Sequence, residues 1–284
     1  MIESIKSEID KSRRQIRKLL DTVEEITQLL KLVEKGKVNA FMGAQQIKVL
    51  QQRLSRAISG MNTADLLGQV REAEETLRRL QEEQRIGLIN QLDQFMKEQG
   101  MELKGQLPTL RVPPFSLEFD FLGRGEVKVM LGPQVLGKVP LDPQKITEFV
   151  KEQRHRLFRK DFDHKVFLGR LRSAYMDTVR LQGKEPGERV RISDVMAMYI
   201  FRSQDKRFLV NPDKKNFNTV SRLEFAVMLG RVSRDREVDG WELRLDVASL
   251  AQTKDPLDHI WIPLDGEGNG MHFSTMRFVR RKDE

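Results

Sequence analysis

Cysteine is absent from this sequence of 284 residues. Its absence excludes disulfides, thiolate zinc sites and a cysteine nucleophile, since each of these needs a thiol group. Long apolar runs are missing as well, because no stretch approaches the roughly 18 consecutive apolar residues that a membrane-spanning helix needs. The N-terminal region carries charges throughout, which is atypical of a signal peptide. We therefore expect no membrane anchor, and a cytoplasmic location is the default expectation.

Histidine is scarce, and no nucleophile can be grouped with a base from the sequence alone. The four histidines show no ligand spacing within any one predicted element; they are His155, His164, His259 and His272. Metal and Ser-His-Asp sites both require such side chains in a defined grouping. We therefore expect no catalytic residue, no metal and no cofactor.

One group of charged residues is the exception to this lack of catalytic signals. Asp120, Glu126 and Lys128 lie on one polar face of two adjacent predicted strands. Many nucleases hold a divalent metal with carboxylates followed by a Glu-x-Lys arrangement. Solvent-facing charge pairs across a hairpin give the same pattern. A metal nuclease is thus an alternative hypothesis, and a structural role is the favoured one.

Basic residues exceed acidic ones, 50 against 42, which gives a net charge of +8 and a sequence pI of about 9.6. The first hundred residues are nearly neutral, so most of the excess lies further along the chain. The richest segment, Lys151 to Arg172, has eight basic and three acidic residues. Such a surplus favours an anionic partner, most often a nucleic acid.

A heptad repeat runs from Ile2 to Val33, and only Ser12 interrupts it. A sustained apolar repeat of this kind predicts a helix of about 50 Å that buries its seam against other helices. These helices can come from the same chain or from another one. The seam residues predicted to form this interface are Ile2, Ile5, Ile9, Ile16, Leu19, Val23, Ile26, Leu30 and Val33.

Two further helical patterns follow, one from about Val38 and one after a turn at 60–63. Short turns between helices are typical of a helical hairpin or three-helix bundle. We expect residues 1–100 to form a coiled-coil helical assembly domain. The prolines Pro108, Pro113 and Pro114 then indicate a linker over residues 101–114, because proline pairs favour extended backbone.

The period switches to two after this linker, which predicts a small antiparallel β-meander over residues 115–142. Residues 143–284 then show helices, a short strand, further helices and a hairpin across Asp265 to Gly270. This order is that of a winged helix, so we expect a winged-helix-like basic domain. The predicted fold class is α+β: an N-terminal coiled coil or helical hairpin, a meander, and a helical module with a β-hairpin.

Three groups of cations accompany the winged-helix-like pattern. One covers the 151–172 segment, one lies on or after the predicted recognition helix, and one lies on the last strand. We expect them to contact the phosphates of double-stranded DNA independently of sequence, through Lys151, Arg154, Arg156, Arg159, Lys160, Arg170, Arg172, Arg222, Arg277, Arg280 and Arg281. The competing possibility is that the same basic face docks an acidic partner protein.

In the order of its elements, a coiled helical region before a winged-helix-like end, the chain resembles the accessory subunits of SMC-type and related ATPase complexes. The resemblance implies that both parts dock on the ATPase or on another subunit. We therefore expect a non-enzymatic scaffold subunit of a complex that acts on DNA, with an SMC-like ATPase or a nuclease as its partner. The alternatives are a homodimeric DNA-binding regulator and the metal nuclease.

Overall fold

The computed structural model describes residues 2–57, 64–122, 125–233 and 235–280. Three N-terminal helices precede a five-stranded antiparallel meander, and further helices with a second antiparallel sheet follow. The predicted α+β class is therefore confirmed. The chain forms two compact units: Met1–Glu98 with Phe119–Val127 and Pro140–Ile146, and Gln99–Glu118 with Lys128–Val139 and Thr147–Glu284.

The N-terminal helices are α1 (Ile2–Glu34), α2 (Ala40–Ala57) and α3 (Ala64–Glu98). They share a core to which α1 contributes every third or fourth residue, as its heptad repeat predicts. The predicted turn at 60–63 lies outside the described residues. The buried members of this core are Leu19, Ile26, Leu29 and Val33 of α1, Ala40, Ile47 and Leu50 of α2, and Leu77 of α3.

The seam of α1 is not covered evenly along its length. From Leu19 onwards it is covered by α2 and α3 of the same chain, with Val23 and Leu30 half-buried. Ile16, one step earlier along the repeat, is 46% exposed. The side chains of Ile2, Ile5 and Ile9 lie outside the described part of the chain. The same chain thus supplies the partner for the C-terminal half of the seam.

The meander contains more strands than the sequence predicts. Its strands are β1 (Lys104–Gln106), β2 (Thr109–Val112), β3 (Phe115–Asp120), β4 (Glu126–Leu131) and β5 (Gln134–Pro140), paired in chain order. The expected linker therefore contains a β-hairpin. Pro108 and Pro113–Pro114 lie in the turns that flank β2, where proline costs no ladder hydrogen bond. Leu110 and Val112 of β2 are buried, which holds this hairpin on the sheet.

Five helices follow: α4 (Pro143–Leu157), α5 (His164–Leu181), α6 (Ile192–Arg202), α7 (Lys206–Val210) and α8 (Arg222–Arg231). The predicted capping box is present at α8, where Ser221 and Glu224 bond reciprocally. Ser193, a residue type that often caps helices, does not cap α6, because the helix begins at Ile192 and Arg191 is its N-cap. The Ser193 hydroxyl donates instead to the Leu257 carbonyl oxygen at 2.6 Å.

The second sheet comprises β6 (Val190–Arg191), β7 (Glu237–Val238), β8 (Trp241–Val247), β9 (Ile260–Pro263) and β10 (Gly270–Arg280). Its order is β6-β10-β8-β7, and β9 also pairs with β10 across the predicted turn at Asp265 to Gly270. Tyr175 of α5 is buried beneath this sheet. Its hydroxyl donates to the Glu188 carbonyl oxygen at 2.8 Å and accepts from the Gly187 amide at 2.9 Å.

Candidate nucleic-acid interface

Helix α4 is amphipathic, with one apolar face and one basic face. Asp142 accepts from the Lys145 amide at 3.0 Å, and Pro143 occupies the first helical position, as the sequence predicts. Ile146 and Val150 are fully buried. Burial of this face leaves the cationic side chains on the outside, where Lys151, Arg154 and Arg156 are all exposed.

The loop between α4 and α5 adds two exposed cations, Arg159 and Lys160. Arg231, at the end of α8, holds this loop in place. Its Nη1 donates to the Arg159 carbonyl oxygen at 2.6 Å, and its guanidinium lies 4.4 Å from the centroid of the Phe162 ring. Burial lowers the pKa of Arg231, which Asp161 partly offsets. Arg231 is thus a positioning residue that presents Arg159 and Lys160 to solvent.

Six basic side chains of residues 151–165 lack ion pairs in the described structure, as Lys206, Arg207 and Lys214 of the second unit also do. Lys151, Arg154, Arg156, Arg159, Lys160 and Lys165 form no salt bridge with any residue that the structure describes. Five arginines further along the chain are paired instead, in Arg180–Asp177, Arg189–Asp246, Arg191–Asp194, Arg202–Asp177 and Arg244–Glu242. The positive charge of residues 151–165 is therefore directed to solvent. We call these six side chains the basic segment.

A cavity of about 420 Å³ lies beside the basic segment and is lined by Arg156, Arg159, Arg170 and Arg231. Arg170 hydrogen bonds to Tyr199, whose pKa is raised by burial and lowered by this arginine. Three acids line the wall: Asp163 caps α5 through the Val166 amide, Glu224 belongs to the capping box of α8, and Asp161 is exposed and raises the pKa of Arg231 against the effect of burial. The cavity thus combines four arginines with three carboxylates and several apolar side chains.

Other residues predicted to contact phosphate are engaged within the protein. Arg172 pairs with Asp239 at 3.0 Å. Arg222 is half-buried, its guanidinium donates to the carbonyl oxygens of Pro256 and His259, and burial lowers its pKa. Its contacts tie the loop before β9 to the start of α8.

The remaining predicted contacts belong to β10, the last strand. Arg277 is half-buried, and its Nε has no hydrogen-bond partner among the described residues. Arg280 is exposed at the end of the strand, opposite Trp241. Arg281 lies outside the described residues. The structure thus brings together the predicted contacts of the basic segment but not those of α8 and β10.

Helix α8 differs from an accessible recognition helix. Each of its residues, 222–231, is buried or half-buried. Phe225 and Leu229 belong to the core of the unit, and α8 packs against β9. Side chains must reach the edges of bases to read a DNA sequence, and this helix has none free to do so. The sequence has no local signal for this burial, because β9 lies some 30 residues further along the chain.

The residues of the nuclease alternative occupy the meander. Lys128 Nζ donates to Glu118 Oε1 at 3.0 Å, which gives Lys128 an ion-pair partner on the neighbouring strand. Asp120 and Glu126 are half-buried and have interactions of their own. Within the described ranges, no three His, Asp or Glu side chains are grouped so that they could hold a metal ion.

None of the described helices combines the length and the apolar character needed to cross a membrane. No model of a protein family matches the chain. No curated protein and no solved structure matches it either.

Proposed function

We propose that this chain is a non-enzymatic scaffold subunit of a multiprotein complex, and that it contacts DNA phosphates through the basic segment. The observation that carries the proposal is the absence of ion pairs over residues 151–165, beside a cavity lined by arginines. Exposed cations without partners can replace the counterions of DNA, which makes binding favourable for any sequence.

The topology of the second unit supports a winged-helix-like domain. Helices α5, α6 and α8 and strands β6, β8 and β10 follow one another in the order of a winged helix, with β10 between β6 and β8. Strand β9 is an addition in the wing region. Because β9 covers α8, the recognition helix cannot enter a DNA groove. The basic segment is therefore the surface that would contact phosphates.

The assembly part of the proposal rests on α1. Its seam is covered within the chain from Leu19 onwards, whereas Ile16, the seam residue before Leu19, is exposed. An apolar repeat without an internal partner favours pairing with another chain. An SMC-like ATPase or a nuclease partner remains our expectation for the complex, and a homodimeric regulator is the alternative. Light-scattering mass of the purified chain separates them, because a scaffold is monomeric until its partner is added.

A charge reversal tests DNA contact. In R156E/R159E/K160E, duplex affinity should fall at least about tenfold, by similar factors for two duplexes of unrelated sequence. The matched control is K35E/K37E/K48E, which changes the net charge equally at two exposed lysines between α1 and α2 and one on α2. Fluorescence anisotropy at low salt measures both.

The control variant should bind both duplexes as the unaltered protein does. If both variants lose affinity equally, the effect is one of net charge rather than of this surface. If neither loses affinity and the first releases a partner subunit, the basic segment is a protein interface.

A further inference from the structure

The connection between α6 and α8 exposes large apolar side chains on a well-formed piece of structure. We call residues 201–217 the apolar tip. The exposed fractions are 61% for Phe201, 67% for Leu209, 86% for Val210 and 41% for Phe217. Large exposed apolar patches on a protein often mark interaction surfaces.

The apolar tip is closed by its own hydrogen bonds. The Gln204 side chain donates to the Asn218 carbonyl oxygen at 2.7 Å and accepts from the Asn218 amide at 2.8 Å. Phe208 and Phe217 pack edge to face with ring centroids 5.3 Å apart. The apolar exposure therefore belongs to a folded element, which holds Leu209 and Val210 outward.

The charges on the apolar tip select the chemistry of a partner. Lys206, Arg207 and Lys214 form no salt bridge with a described residue. The two acids have structural roles: Asp205 caps α7, and Asp213 caps the following turn and pairs with Lys215 at 3.6 Å. An apolar surface framed by unpaired cations is complementary to apolar side chains flanked by carboxylates.

We infer that the apolar tip is the docking site for an acidic amphipathic segment of a partner protein. Leu209, Val210 and Phe201 would receive the apolar side chains of this segment, and Lys206, Arg207 and Lys214 would face its carboxylates. The inference rests on the proposed scaffold function and identifies one surface through which the scaffold engages its complex. The tip and the basic segment are separate stretches of chain, so each can be tested without the other.

Two defined peptides test the inference. One is a labelled amphipathic helix of about five turns with Leu and Phe on one face and Glu on the other, and its twin carries Lys in place of Glu. The acidic peptide should bind the full chain at least about tenfold more tightly than its twin. L209S/V210S should weaken binding at least about tenfold, since both side chains are exposed and their loss leaves the fold intact.

The control variant is L181S/L250S, which removes two side chains of similar exposure elsewhere and should bind the acidic peptide normally. K206E/K214E should reverse the preference between the two peptides. Equal binding of the twins, or no peptide binding, overturns the inference. Binding only to anionic phosphatidylserine vesicles also overturns the inference, because the apolar tip then binds a membrane. A dimer that depends on the tip in sedimentation overturns it as well, because the tip then binds a second copy of the chain.

The same variants separate this inference from the DNA proposal. L209S/V210S should bind duplex DNA unchanged, and R156E/R159E/K160E should bind the acidic peptide unchanged. If the unaltered chain binds the acidic peptide but no DNA, the docking-site inference is supported and the DNA proposal is wrong. If it binds DNA but neither peptide, the docking site alone is wrong.

Discussion

Trp261 is held by two glycines that leave room for its indole ring. A Cβ atom on Gly132, in the turn between β4 and β5, would lie 2.2 Å from Trp261 Cζ2, and one on Gly270 would lie 2.4 Å from the same atom. Both distances are far below van der Waals contact. The ring is buried, so these two glycines determine how the β9–β10 hairpin is seated.

Alanine at Gly132 tests this seating. Gly132 has φ +54, so an alanine there meets both backbone strain and the indole ring. Gly183 has φ +64 with nothing within 4 Å of an added Cβ, so G183A carries the strain alone. We expect G132A to lower the free energy of unfolding by about 1–3 kcal/mol more than G183A does.

Thermal unfolding measures the difference, and Trp261 fluorescence in a W241F background reports on the ring itself. G132A should shift the emission of Trp261, whereas G183A should not. Equal destabilisation by the two substitutions would mean that the indole ring yields freely and does not fix the hairpin.

His272, opposite Trp261 on β10, should make stability depend on pH. Its pKa lies below the ordinary value because burial disfavours the imidazolium, and His259, with its ring centroid 4.7 Å away, disfavours it further. The unfolded chain therefore binds this proton more tightly than the folded one. Stability should be retained above about pH 6.5 and fall as the pH drops below it.

H272Q should have a melting temperature that falls less between about pH 7.5 and pH 5.5 than that of the unaltered protein. Scanning calorimetry at matched ionic strength gives both values. An identical fall in the two proteins would assign the acid sensitivity to other groups.

At the scale of elements, α1 is divided at about Leu19. Ile26 is buried by α2 and α3, whereas Ile16 is largely exposed within the described structure. I26D places a charge in a core without a partner and should cost at least about 3 kcal/mol, with loss of helical content. I16D should leave the helical content intact and reduce association with the partner subunit.

Circular dichroism and light scattering, with and without that subunit, check the pair of variants. If I16D also unfolds the N-terminal helices, Ile16 is buried by the chain itself. If I16D changes neither the helical content nor the association with the partner subunit, the first half of the seam is not an interface.

Local chemistry explains which elements could be predicted from the sequence. The heptad repeat predicts α1, and the caps Asp142 and Ser221 place the starts of α4 and α8, because each signal lies within one turn of the helix it begins. Strands β1 and β2 were missed because the prolines that form their turns also occur in linkers. The pairing of β6 with β10 joins residues far apart in the chain, and no periodicity encodes it.

The candidate interface, too, can be predicted from the sequence only where it depends on residues close together in the chain. The density of cations in residues 151–165 is visible in the sequence, and so is their exposure along α4. Their lack of ion pairs is not, because it depends on where the acids of distant elements lie. Arg231 contacts the Arg159 carbonyl across 72 positions, and Arg222 contacts the His259 carbonyl across 37. Composition therefore predicts a basic surface, and only the fold separates its solvent-directed cations from its structural ones.

In the whole molecule, the three proposed roles belong to separate stretches of the chain. In the proposed function, the N-terminal part of the α1 seam serves assembly, the basic segment contacts phosphates, and the apolar tip receives an acidic partner. Helix α8 and the β9–β10 hairpin form the folded support for the last two. Ile16, Leu209, Val210 and the cations of the basic segment are exposed, so we expect their substitution to leave each unit folded.

The salt dependence of duplex binding tests the central claim most directly. Phosphate contacts release counterions, so the logarithm of the association constant should fall linearly with the logarithm of salt concentration. The slope should lie at about −3.6 to −5.4, as expected for about four to six contacts, for any duplex sequence. R156E/R159E/K160E should flatten this slope by about two to three, and K35E/K37E/K48E should leave it unchanged. A slope near zero, or equal flattening by the two variants, would contradict the account.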